Sequence, residues 1–136
     1  GDYGASANYF REVAKAVPLN EVYNDLAAAE NRLNLPTAVD DFRRALDGDR
    51  NDTAYLFNLS LALLRQNHFE EASTHLKGLV QRDPDDTEAR ALLDRAERRE
   101  PASTDGTSLP PERVKENFDE TAFRELKAML QPKAIQ

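Results

Sequence analysis

A stretch of this chain recurs about 34 residues further on. Ala38, Phe42 and Ala45 are followed by Ala72, Leu76 and Leu79, each at a step of 34, and Tyr23 and Leu26 by Leu56 and Leu59 at a step of 33. A fixed period of this size marks a helical solenoid, in which each unit buries its apolar face only by stacking on its neighbours. Solenoids of this kind offer a long surface to another chain.

Composition agrees. The 136 residues are one domain's worth, with 40% hydrophobic residues, no Trp and only 5 glycines. Helix formers dominate and β-branched runs are absent. The net charge of −7 disfavours nucleic acid and anionic membrane surfaces as partners. With no cysteine, disulfides and thiolate metal sites are excluded. No apolar run reaches the roughly 20 residues that span a bilayer. No signal peptide is evident and the first residue is Gly1, so a fragment of a longer protein stays open. The compartment is not fixed, with the cytoplasm slightly favoured.

Apolar spacing predicts seven helices, at about 5–16, 20–33, 36–47, 53–66, 69–82, 87–99 and 111–130. Asn20 and either Asp52 or Thr53 read as N-caps, Pro36 as a first-turn residue and Asn67 as a C-terminal cap. The division expected is a repeat domain over 1–100, a flexible linker over 101–110 and an amphipathic C-terminal helix over 111–136.

The repeating residues resemble tetratricopeptide repeats. In residues 53–86, Leu56, Leu59, Ser60, Leu63, Ala72, Leu76, Leu79 and Pro84 follow the family's order of large, small and turn residues. In residues 20–52, Tyr23, Leu26, Ala27, Ala38, Phe42 and Ala45 do the same. That first repeat departs from the pattern at Glu30, where a large residue belongs, and at Arg50, where Pro does. It is also one residue short between its two helices, which predicts a tighter turn. Helix 87–99 is a weaker match with Asp94 at the small site, and helix 5–16 reads as the second helix of a preceding repeat. The resemblance implies an all-α fold, a short right-handed solenoid with an additional C-terminal helix, and a protein-interaction function through its concave groove.

Residues 55–64 are apolar nearly all round. Leu56, Leu59 and Leu63 serve repeat packing, leaving Phe57, Leu61 and Leu64 as a second stripe. In the family that face lines the groove. Burying each of these side chains contributes about 1.5–3 kcal/mol, so a groove lined this way calls for a cover. Asn58, Arg65 and Arg95 are candidate polar residues beside it, Asn58 reading equally as a hydrogen bond between helices. One cover is a peptide or helix from a partner protein. The alternative is a structural or self-associating module, covered by the C-terminal helix through Val114, Phe118, Phe123 and Leu126, from the same chain or a neighbouring copy. A third reading is a regulatory fragment of a larger enzyme.

The clamp by which some relatives hold a terminal carboxylate is mostly missing: Asn24 and Ala28, and Glu88 and Leu92, stand where its other residues belong. Residues 47–58 lack the Gly and the final Glu of a calcium loop. His68 and His75 make no zinc pattern, and there is no Gly-rich phosphate loop, nucleophile elbow or cysteine nucleophile. Catalysis, metals and cofactors are not expected.

Overall fold

The computed structural model describes residues 2–17, 19–102 and 109–113. Among them are six helices: α1 (Tyr3–Ala16), α2 (Asn20–Arg32), α3 (Thr37–Gly48), α4 (Thr53–Arg65), α5 (Phe69–Arg82) and α6 (Thr87–Glu97). Each packs on the next, and α2 also meets α4 across the intervening helix. The repeats are therefore α2–α3 and α4–α5, with α1 and α6 as flanking half-units. The seventh helix expected from the sequence lies outside the described residues.

Small residues let the helices approach. Ala27, Ala38, Ala45, Ala72 and Ala89 are fully buried, and Phe42, Leu59, Leu63, Leu76 and Leu79 fill the space between them. Ser60 is equally buried and donates its hydroxyl hydrogen to Leu56 O at 2.7 Å, so no polar atom is stranded at the closest approach.

Caps set half of the boundaries. Asp52 and Asp86 accept from the backbone N–H of Tyr55 and Ala89 at 3.1 and 3.0 Å. Asp2 does the same for α1, which starts at Tyr3, two residues before the expected position. Asn20 is not a cap: it is the first residue of α2, and Leu19 precedes it with no side-chain bond. Two residues past the ends of α2, α4 and α6 stand residues in the left-handed conformation, Asn34, Asn67 and Arg99, with φ of 58°, 59° and 54°. In each case the next N–H reaches back to close the last turn, as in His68 N to Leu63 O at 2.9 Å.

The residue missing from the first repeat comes out of the start of α3. Ala38 and Val39 donate to Leu35 O and Pro36 O, three residues back, whereas Ala72 donates to His68 O, four back. The tightening is thus a 3₁₀-type opening turn.

Glu30 is 1% exposed, and the Thr37 hydroxyl donates to its Oε2. Arg11 of α1 lies 3.7 Å from the same oxygen. These partners and Asp41 line a cleft of about 330 Å³ between α1, α2 and α3. Burial, and the Asp41 carboxyl beside it, push the Glu30 carboxyl up to about 7.

Candidate functional site: the inner face of the repeats

The face carrying the second apolar stripe of α4 is buried, and at Phe57 a distant segment of the chain lies on it. Phe57, Leu61 and Leu64 are 0, 1 and 1% exposed. They belong to one core cluster, which Leu109 joins and Ala102 packs against. The described ends of the stretch expected to be a linker therefore lie on the repeats.

Leu109 and Pro110 each precede a proline, which steers both residues away from helical dihedrals. The segment Leu109–Arg113 is indeed outside any helix, although residues 111–113 were expected to begin one. Its last two residues carry the polar contacts. Asn58 Nδ2 donates to Arg113 O at 2.7 Å, and Asn58 Oδ1 accepts from Arg113 N at 2.6 Å. One buried carboxamide thus pairs with both backbone groups of a single residue, as a neighbouring β-strand would. Asn58 Nδ2 also donates to Asn24 Oδ1 at 2.8 Å, and Asn24 Nδ2 makes a longer bond of 3.4 Å to Arg113 O. Asn58 therefore makes both an interhelical bond and a contact to the resident segment.

The Arg113 side chain reaches the start of α6. Its guanidinium meets Asp86 through two bonds of 2.5 and 2.9 Å, and Glu88 at 3.3 Å. It lies over the Phe57 ring, 3.6 Å from the centroid. Hydrogen bonding from Arg113 holds the Asp86 carboxyl below its ordinary value, and the same bond raises Arg113. Asp86 thus caps α6 and anchors Arg113 at once. At the other end of the face, Glu112 accepts from Asn31 Nδ2 and Arg32 Nε, both at 2.8 Å.

Of the expected site residues, Phe57 and Asn58 meet at Arg113. Arg65 donates to Asn31 O at 2.7 Å, beside the end of α2, and feels the charge of Glu112. Arg95 donates to Pro101 O at 2.9 Å, away from this cluster. Leu61 and Leu64 are buried in the main core. Val114, Phe118, Phe123 and Leu126 lie outside the described residues. The sequence reading passed over Asn31, Arg32, Asp86, Glu112 and Arg113, and weighed Asn24 only as a departure from the carboxylate clamp. The Leu109-Pro-Pro run was the available signal, since consecutive prolines favour an extended docking segment over a helix start. Among the described residues no helix is long and apolar enough to cross a membrane, and no cluster of His, Cys, Asp or Glu could hold a metal.

Consecutive helix pairs repeating near 34 residues, with an inner face that grips an extended segment, define a helical-repeat interaction module. A tetratricopeptide repeat model matches residues 24–96, and the chain belongs to that family. Domains of this family are generally protein–protein interaction modules. Sperm-associated antigen 1 of Rattus norvegicus is 31% identical over 128 residues, covering 88% of this chain and 14% of that protein. Its Mus musculus counterpart is 30% identical over 128 residues, with the same coverage. The chain thus spans 14% of the length of the curated relatives it matches.

Proposed function

We propose that the module recognises an extended polypeptide segment on its inner face, and that Leu109–Arg113 is the occupant the chain supplies for itself. The observation that carries this is the two-point pairing of Asn58 with the Arg113 backbone. A carboxamide that pairs with N–H and C=O of the same residue reads main chain, so the grip does not depend on which side chain follows. Asn24 adds a second amide from the preceding repeat.

A structural reading, in which the groove is simply filled, draws on Leu109, which is 8% exposed and part of the main core. The two readings share the occupant and differ in whether it leaves. Amide hydrogen exchange tests the shared part. In the full chain the Arg113 amide should exchange at least about tenfold slower than a free amide, and Asn58→Ala should abolish that protection while the α5 amides keep theirs. An Arg113 amide that exchanges freely in the wild type refutes both.

A further inference from the structure

We propose that the groove selects, from a partner protein, an extended segment with an acidic residue immediately followed by arginine, and that such a segment enters by displacing Leu109–Arg113. This rests on the reading above that the face binds an extended segment. The resident residues serve as a template for the partner's chemistry.

Two charged subsites of opposite sign flank the main-chain grip. Asp86 and Glu88 at the start of α6 make an anionic seat whose floor is the Phe57 ring, suited to a planar guanidinium that stacks and forks at once. Lysine has no plane to lay on that ring. At the other end Arg32 and Asn31 make a seat for a carboxylate, with Arg65 adding positive charge close by. Between them Asn58 and Asn24 hold the main chain, which fixes register. Acid and base must then fall on adjacent residues in one order. Reversing them sets carboxylate against Asp86 and guanidinium against Arg32, and like charges reject a wrong sequence more sharply than good contacts reward a right one.

The two charged seats are half-open: the Arg113 and Arg32 side chains are 28% and 33% exposed, whereas their partners Asp86 and Glu112 are 7% and 5% exposed. Water reaches each pair from the arginine side, and an incoming segment must restore both pairs, because a carboxylate left buried alone is costly. Tethering places the segment at an effective concentration on the order of mM, so an outside segment competes poorly until the internal one is weakened.

The test uses the full chain. Glu112→Ala/Arg113→Ala removes the side chains of the internal occupant without touching α1–α6. A fluorescent peptide containing Leu-Pro-Pro-Glu-Arg is titrated against wild type and variant, beside the same peptide with Glu and Arg exchanged. The expected result is at least tenfold tighter binding to the variant than to the wild type, and at least tenfold weaker binding of the exchanged peptide. Arg32→Glu, added to the variant, should reverse preference at the acidic position toward a peptide with arginine there. Equal binding of both peptides overturns the proposal. So does absence of binding to the folded variant; concentration-dependent dimerisation alongside it would assign the groove to a second copy of this chain. Should the double variant lose helical signal, the peptides are ranked on Arg32→Glu, which weakens the internal occupant at Glu112, and failure to prefer the peptide with arginine at the acidic position again overturns it. A freely exchanging Arg113 amide in the wild type would instead sink the groove reading itself, whereas a protected amide with charge-indifferent peptides sinks only the selectivity.

Discussion

The guanidinium of Arg113 lies 3.6 Å from the centroid of the Phe57 ring, with the ring itself wholly buried. Two residues far apart in sequence thus close the inner face between them. A double-mutant cycle with Phe57→Leu and Arg113→Ala isolates their coupling, because Leu keeps apolar bulk while removing the ring's charge distribution. We expect a favourable coupling of about 0.5–2 kcal/mol in urea denaturation. Strict additivity would mean that the ring and the cation merely coexist.

Asn58→Asp is nearly isosteric and should still be damaging. It replaces the donor that serves Asn24 Oδ1 and Arg113 O with a charged acceptor facing both. Burying that unmatched charge is expected to cost about 2–4 kcal/mol. Arg113 amide protection should fall in parallel. A variant as stable as wild type would show that water already serves these groups.

Glu30 and Asp25 should make the repeats less stable as pH rises from about 4.5 to 8, against a smaller opposite contribution from His75, which burial holds below its ordinary 6.5. Burial and Asp41 raise the Glu30 carboxyl from 4.5 to about 7, and burial, with Glu21 adding to it, raises Asp25 from 3.8 to about 6. Both groups hold a proton more tightly folded than unfolded. Their stabilisation is complete below the unfolded values and is lost as pH passes through the folded ones. Asp86 is shifted the other way, and its contribution disappears only below its ordinary 3.8, outside this window. Glu30→Gln should flatten the decline by on the order of 1–3 kcal/mol between pH 5 and 8, read from urea midpoints at several pH values. A Glu30→Gln profile that runs parallel to wild type over that range counts against a buried protonated Glu30, because His75 contributes equally to both.

Arg99→Gly should stabilise the protein. Arg99 adopts φ of 54° at the end of α6, a conformation that costs a branched-off Cβ about 1–2 kcal/mol and glycine nothing. Its ion pair with Glu70 is exposed on both sides and offsets little. The expected gain is about 0.5–1 kcal/mol, visible as a higher Tm. Asn34→Val, at φ of 58°, should lose at least as much, because a β-branched side chain cannot take the bend.

Much of the architecture was legible because solenoid packing is nearly local. Ala38 and Ala72, or Leu59 and Leu63, occupy places dictated by helical period and by the fixed offset to the next repeat. Turn chemistry was legible where one side chain acts on its own backbone, as at Asp52 and Asn67. It misled at Asn20, where the pattern offered a cap but the chain began the helix on that residue. Phe57, Leu61 and Leu64 stood out as apolar surplus, but their spacing says only that they want cover.

What the sequence determined by itself is therefore the class of fold, the register of the repeats and the demand for a cover over α4. The tertiary structure decided what meets that demand at Phe57, where Arg113 lies over the ring and Leu109 joins the same core. The decisive contacts join residues 55 and 89 positions apart, from Asn58 and Asn24 to Arg113. Their geometry exists only once α2, α4 and α6 have stacked. A buried amide, an anionic helix start and an aromatic face become one site through that stacking, and no local periodicity encodes which distant segment has the matching hydrogen bonds and charges.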